Sequence, residues 1–276
     1  MASNTVPNIT LNDGNRIPQL GFGVFQVPDE ETQKAVEQAF EAGYRSIDTA
    51  SLYRNERGVG AAIKASGLPR EQLFITSKVW NDAQGREKTA RSFEESLERL
   101  GLDYLDLFLI HWPVPSQGLY VETWQTLAQI RSEGRVKSIG VSNFEPAHLD
   151  RLRAETDIVP AVNQVELHPY LTQQAVRDYG KANGVVTESW SPLAKGGDLL
   201  AEPVLSEIGQ RHGKSPAQVV IRWHLQLDCV VIPKTVTASR ARENFDVFGF
   251  ELTDADLKAI SALNRDHRTG PDPNNF

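Results

Sequence analysis

Eight short apolar runs, each followed by a stretch with helical spacing, limit what this chain can fold into more than any other feature. The runs cover residues 20–23, 44–48, 73–78, 104–111, 136–141, 160–166, 185–190 and 229–234. The run at 104–111 is nearly unbroken, as a strand buried on both faces requires. Helical patterns lie over 29–42 and 56–66, around Phe93, Leu97 and Leu100, over 120–132, from Pro146 onward, and through Val176 and Tyr179. Asp29 is placed to cap the first of these, whose apolar face carries Val36, Ala39 and Phe40. Alternation of this kind means a parallel sheet. Eight units within 276 residues favour a closed α/β architecture, the (β/α)8 TIM barrel, over an open sheet. An N-terminal β-hairpin is expected outside the barrel, because Asp13-Gly14 stands between two apolar runs. Extra helices near the C-terminus are expected at 203–212, 216–227 and 239–245. One more starts with the capping pattern Thr253-Asp-Ala-Asp256. The tail, 265–276, reads as irregular. No linker and no internal sequence repeat divides the chain, so residues 1–276 are expected to form one barrel domain.

Charge and composition remove several function classes. Lys and Arg number 29 against 36 Asp and Glu, a net charge of -7 with both signs spread along the chain. Nucleic acid as the main partner wants the opposite balance. No apolar run approaches the roughly 20 residues that span a bilayer. The first residues lack the basic and apolar regions of a signal peptide. A soluble cytoplasmic protein without a membrane partner is expected. The single cysteine, Cys229, speaks against a disulfide scaffold and a cysteine zinc site, and it reads as core together with Trp124. The five histidines other than His111 lack close metal-ligand spacings, so no metal site is read.

In such a barrel the chemistry stands at the C-terminal ends of the strands. There the sequence places Asp48, Lys78, His111 with Trp112, Ser142 with Asn143, Gln164, Ser189 to Ser191, and Lys234 with Thr235. Taken singly, each has a plainer reading: Asp48 a helix cap, Lys78 a solvated strand end, His111 a satisfied histidine. Tyr53, five residues beyond Asp48, could simply pack. As a set they suggest more. Asp48 would hold Lys78 charged, and a cation beside a phenol lowers its pKa from about 10. Tyr53 then becomes a better proton donor near neutrality. His111 could hydrogen-bond a substrate oxygen. Lys234, Thr235 and Arg240, followed by Glu243 and Asn244, look like an anion site opening a helix. Neither dinucleotide fingerprint completes: Gly21-Phe-Gly23 runs on to Gln26, and Gly58-Val-Gly60 to Ile63. No G-x-S-x-G nucleophile motif is present.

Three segments together resemble the aldo-keto reductase family. They are Gly43-Tyr-Arg-Ser-Ile-Asp-Thr-Ala-Ser-Leu-Tyr-Arg-Asn-Glu56, Lys137-Ser-Ile-Gly-Val-Ser-Asn-Phe144, and Ile232-Pro-Lys-Thr-Val-Thr-Ala-Ser-Arg240 with Glu243-Asn244. Finer stretches, such as Glu188-Ser-Trp-Ser-Pro-Leu193, look most like the family's bacterial 2,5-diketo-D-gluconate reductases. The resemblance implies an NADPH-dependent carbonyl reductase. Its catalytic tetrad falls on Asp48, Tyr53, Lys78 and His111. Tyr53 would be the general acid, Lys78 its pKa-lowering neighbour, Asp48 the holder of Lys78, and His111 the group orienting the carbonyl. For the cofactor, NADPH/NADP+, the resemblance implies Ser142, Asn143 and Gln164 at the carboxamide and Trp190 stacked on the nicotinamide. Ser191 and Leu193 would lie along the pyrophosphate. Lys234, Thr235 and Arg240 would hold the 2′-phosphate, and Glu243 and Asn244 the adenine end. Phe25, Trp80 and Trp112 match pocket-wall positions for a small-molecule carbonyl substrate.

The connection at 113–118 and the C-terminal tail are both short, which suggests an open site for small or polar carbonyls such as methylglyoxal or 2,5-diketo-D-gluconate. A monomer is expected on resemblance alone. Two other readings compete. One is a non-catalytic NADPH-binding regulatory barrel, since fold alone does not fix function. The other is a barrel hydrolase or isomerase using Asp48 and His111.

Overall fold

The computed structural model describes residues 6–275. Its centre is a run of parallel strands whose side chains are nearly all buried, on both faces. These are β3 (Phe22–Gly23), β4 (Ser46–Asp48), β5 (Phe74–Val79), β6 (Leu105–Ile110), β7 (Val136–Ser142), β8 (Val162–Glu166), β9 (Val186–Trp190) and β10 (Val230–Val231). They lie side by side in chain order from β3 to β10. The two ends of the sheet then meet. Leu20 bridges Val231 in parallel, the Gly21 amide donates to the Val231 carbonyl at 2.9 Å, and the Val231 amide donates to the Gln19 carbonyl at 3.0 Å. The sheet is a closed barrel, as the alternation predicts, and closure removes both sheet edges.

Helices cover the barrel: α1 (Asp29–Ala42), α2 (Glu56–Ser66), α3 (Arg86–Leu100), α4 (Tyr120–Ser132), α5 (Pro146–Thr156) and α6 (Gln174–Asn183). Their inner faces pack on the strands through residues such as Val36, Val59, Phe93, Trp124 and Leu149. The hairpin of β1 (Asn8–Thr10) and β2 (Arg16–Pro18) is antiparallel, with Ile9 opposite Ile17. It closes the end of the barrel where the strands begin. Ile17 and Leu11 join the interior residues Leu107, Leu109, Val162 and Val230, while Asn12 Nδ2 donates to the Pro160 carbonyl. The opposite end therefore stays available for chemistry.

The extra helices are α7 (Pro203–His212) and α8 (Pro216–Gln226) before β10, then α9 (Ala238–Phe245) and α10 (Asp254–Ser261) after it. They build a second apolar cluster around Leu205, Val219, Trp223 and Ile260. The capping box read at Thr253 is formed with Asp256.

Two local expectations need correction. Asp29 does not cap α1. Pro28 stands at the N-cap without a side-chain bond, and the Asp29 carboxylate instead accepts from the Gly58 amide at 2.9 Å, in the first turn of α2. The last strand ends at Val231 rather than at 234, because Pro233 has no amide to extend the ladder.

One close approach fixes the α2–α3 spacing. A Cβ built on Gly60 would lie 2.3 Å from the Leu100 carbonyl oxygen, a backbone atom that cannot step aside. In a free helix Gly→Ala stabilises by about 1 kcal/mol. Here Gly60→Ala should instead destabilise by about 1–3 kcal/mol. Urea unfolding checks the sign; a stabilised variant would show that the two helices can part without cost.

Candidate active site

Every strand-end residue singled out in the sequence stands at one rim of the barrel. Asp48, Ser142 and Trp190 are the last residues of β4, β7 and β9, and Lys78 is the penultimate residue of β5. His111 directly follows β6 and Asn143 follows β7. Gln164 lies within β8, and Lys234 and Thr235 follow β10.

The tetrad candidates meet. The Lys78 ammonium donates to Asp48 Oδ1 at 2.7 Å and to the Thr49 carbonyl at 2.9 Å, and it reaches Tyr53 Oη at 3.4 Å. Asp48 is therefore a buried ion-pair partner and not a helix cap, and Lys78 is wholly buried, not a solvated strand end. Burial alone would lower the Lys78 pKa. The neighbouring Asp48, Tyr53 and Glu188 together outweigh that, Asp48 most of all, and hold it above its ordinary value. The Tyr53 ring lies edge-on to the His111 ring, with centroids 5.6 Å apart.

Tyr53 is aimed by local structure. It ends a 3-10 turn, Ser51–Tyr53, and the next residue, Arg54, takes a left-handed φ of 57°. Ser51 Oγ ties the turn to β5 by donating to the Lys78 carbonyl at 2.9 Å. Asn55, buried and not foreseen from sequence, fastens the turn to the loop carrying Phe25. Its amide donates to the Val24 and Val27 carbonyls, and its Oδ1 accepts from Thr49 Oγ1. Phe25 is 48% exposed and lies tilted against the Tyr53 ring, with centroids 4.9 Å apart.

The expected direction of the Tyr53 pKa is corrected. Burial pushes the phenol above its ordinary value, and Lys78 pulls it back without reversing the direction. The sequence shows the cation but not the desolvation. For His111, burial and then repulsion by Lys78 hold the imidazole pKa well below the ordinary value, so the ring is neutral near pH 7. Its Nδ1 is buried without a hydrogen-bond partner among the described residues. Trp80 lies edge-on to His111 at 5.0 Å, and Trp112 is buried directly behind His111 in sequence.

The cofactor candidates divide into two groups. Ser142, Asn143, Gln164 and Trp190 form one network. Trp190 Nε1 donates to Asn143 Oδ1 at 2.8 Å, Asn143 Nδ2 donates to the His111 carbonyl at 3.0 Å, and Ser142 Oγ donates to the Gln164 carbonyl at 2.8 Å. Asn143 has a left-handed φ of 63°, and the network holds that conformation in place. Both N–H bonds of Gln164 Nε2 are spent inward, on Asp48 Oδ2 and Glu188 Oε2, each at 2.8 Å. Gln164 Oε1 keeps an acceptor to offer. Ser191 and Leu193 lie in the turn beyond Trp190, where the Ala194 amide donates to the Ser191 carbonyl.

The second group surrounds α9. Lys234 and Arg240 are exposed and form no ion pair among the described residues. Thr237, the N-cap, makes no side-chain capping bond, which leaves first-turn amides for an outside acceptor. Thr235 Oγ1 accepts from the Thr237 amide at 3.1 Å. Asn244 is buried, and Glu243 is the more accessible of the two adenine-end candidates. A dinucleotide phosphate therefore fits the uncapped helix and its two free cations, and a carboxamide fits the Ser142–Asn143–Gln164 network.

The structure adds residues that the sequence reading missed. Glu188 joins the tetrad through Gln164. The tail is irregular but firmly docked. Buried Glu166 accepts from the Thr269 amide and hydroxyl, each at 2.6 Å, and from the Gly270 amide at 3.1 Å. Gly270 then sits against the Trp190 indole so closely that a Cβ would fall 2.5 Å from its ring. The tail thus braces the indole that the resemblance places beside the nicotinamide.

The aldo/keto reductase family model matches residues 19–265. The chain belongs to that family. It is 50% identical to the methylglyoxal reductase DkgA of Salmonella typhimurium over 277 residues, covering 100% of this chain and 99% of the relative. It is 50% identical to the glyoxal reductase of Bacillus subtilis over 274 residues, covering 99% and 98%. Among solved structures, a variant of Gox0644 in complex with NADPH is 48% identical, with a TM-score of 0.95 and 99% of each chain covered. Among the described residues no helix is long and apolar enough to cross a membrane.

Proposed function

We propose that Asp48, Tyr53, Lys78 and His111 carry out NADPH-dependent reduction of small or polar aldehydes and ketones, with Tyr53 as the proton donor. The observation that carries this reading is the buried Lys78 ammonium, which touches Asp48 Oδ1 at 2.7 Å and Tyr53 Oη at 3.4 Å. When bound, NADPH supplies the hydride that reduces the carbonyl carbon. Ser142, Asn143, Gln164 and Trp190 hold its nicotinamide end, and Ser191 and Leu193 its pyrophosphate. Lys234, Thr235 and Arg240 hold its 2′-phosphate, and Glu243 and Asn244 its adenine end.

Tyr53 gives its phenolic proton to the carbonyl oxygen as negative charge develops there. A raised phenol pKa keeps that proton in place at neutral pH. Lys78 stabilises the phenolate left behind, and neutral His111 orients the carbonyl by a hydrogen bond. Phe25, Trp80 and Trp112 wall the pocket with apolar surface. Names of the relatives and the short 113–118 connection favour small dicarbonyls such as methylglyoxal and glyoxal, with 2,5-diketo-D-gluconate as a further candidate. The reading includes a monomeric, cytoplasmic enzyme acting as one domain over 1–276.

NADPH consumption over a panel of these dicarbonyls, aromatic aldehydes and simple ketones tests the reading. Tight NADPH binding without turnover of any of them would overturn it. The phosphate assignment has its own check. Lys234→Ala and Arg240→Ala should each weaken NADPH binding by about 1.5–3 kcal/mol, the worth of a hydrogen bond to a charged group. NADH binding, without the 2′-phosphate, should hardly change. Titration of tryptophan fluorescence with both cofactors measures the difference, and equal losses would place the phosphate elsewhere.

A further inference from the structure

Glu188 is a carboxyl group in the interior of the barrel that the tetrad does not require. It lies in the middle of β9, 1% exposed, in register with Gln164 on β8 and Val230 on β10. Its Oε2 accepts from the same Gln164 nitrogen that donates to Asp48 Oδ2. Asp48 in turn holds Lys78 through its other oxygen. A continuous chain therefore runs from Glu188 through Gln164, Asp48 and Lys78 to Tyr53.

We infer that Glu188 is a positioning residue of the reduction: it fixes the Gln164 carboxamide with Oε1 free for the cofactor, and through Gln164 and Asp48 it acts on the Lys78–Tyr53 pair. The inference rests on the reductase reading above. With its two N–H bonds taken by Glu188 and Asp48, Gln164 cannot present its amide the other way round. Removing one acceptor frees that rotation.

The electrostatics run through the same contacts. The groups that act on Glu188 are Asp48 from β4, Lys78 from β5 and Gln164 from β8, and Glu188 in turn acts on Tyr53 from the turn after β4; Val230 on β10 brings no charge. His111, beyond β6, is neutral near pH 7. Glu166, further along β8, engages His168 and the tail. Burial, and then the Asp48 charge, push the Glu188 carboxyl up to about 8. Below that pH one negative charge faces Lys78, and above it there are two. The added charge raises the Tyr53 pKa and opposes the oxyanion that forms in the reaction. Because Tyr53 itself titrates above its usual value, Glu188 should set the alkaline limb.

The test is a pH profile of single-turnover carbonyl reduction by the NADPH-loaded enzyme, with methylglyoxal as probe. Between pH 7 and pH 9 the wild-type rate should fall by about tenfold, one decade for one pH unit beyond an apparent pKa near 8. Glu188→Gln cannot ionise and should lose that limb. Its ratio of rates at pH 9 and pH 7 should exceed the wild-type ratio by about tenfold. Glu188→Leu removes the acceptor and should raise the KM for NADPH at every pH, with Glu188→Gln restoring it. Superimposable wild-type and Glu188→Gln profiles would overturn the proposal, as would a wild-type KM in Glu188→Leu. The isosteric Gln variant keeps the proposal open to failure even if the Leu variant does not fold. Tyr53→Phe, run beside them, separates the two readings. Its full activity would overturn the tetrad, whereas a dead Tyr53→Phe with unshifted Glu188 profiles would overturn only this inference.

Discussion

Tyr53→Phe should lower kcat for carbonyl reduction by about 10³-fold, the middle of the range for loss of a general acid. The substitution is nearly silent in every other respect. The Tyr53 hydroxyl has one protein partner among the described residues, Lys78 Nζ at 3.4 Å. The ring keeps its tilted contact with Phe25 and its edge contact with His111. NADPH binding, carried by other residues, should therefore be unchanged. No neighbour can replace the lost proton well. His111 is neutral, with its pKa well below the ordinary value, and Lys78 is held above its ordinary value by Asp48 together with Tyr53 and Glu188. Steady-state kinetics with methylglyoxal, beside a fluorescence titration of NADPH, decides the matter. A loss of less than about tenfold would move the general acid away from Tyr53.

Which parts of this site could be read from the chain follows from how far each contact reaches in sequence. Helix limits such as Tyr120–Ser132 and Pro203–His212 coincide with the sequence reading because local residues punctuate them. Pro203 opens its helix at the first position, and Gly67 closes Glu56–Ser66 with a left-handed φ of 63°. Asp48, Lys78 and His111 were legible because a barrel brings all its strand ends to one rim, so topology replaces knowledge of contacts. Where the partner lies far off in sequence, the reading failed. The Asp29 carboxylate serves the Gly58 amide of α2, and nothing local to it says so. Asn55 and the Glu166–Thr269 anchor join segments whose proximity only the closed barrel creates. Glu188 did leave a signal: a carboxyl in the middle of an otherwise burying run is costly and demands a partner. The direction of the Tyr53 shift was the hardest to see. Sequence names the neighbouring cation, but only packing shows that burial is the larger effect.

Lys78→Met should cost both stability and activity, and the two losses should separate in a double variant. Lys78 is among the largest fully buried side chains, and Met fills a similar volume. What changes is charge. Asp48, 3% exposed, loses the ammonium that donates to it and balances its charge, and its side chain keeps only the Gln164 amide as a donor. Breaking a buried pair from one side typically destabilises by about 3–5 kcal/mol, because the remaining charge is uncompensated. Replacing both partners removes that charge, so Asp48→Asn with Lys78→Met should be more stable than Lys78→Met alone. Activity should not follow stability. Without the cation Tyr53 keeps the burial that raises its pKa and loses the attraction that lowers it. The phenolate left after proton transfer is then unsupported, and kcat should stay about 10³-fold down in both variants. Urea unfolding and steady-state kinetics on the two single variants and the double variant measure the two effects independently. If the double variant recovered activity along with stability, Lys78 would be a packing residue whose charge serves only Asp48. If it recovered neither, the pair would stabilise the barrel by more than the mutual compensation of two buried charges.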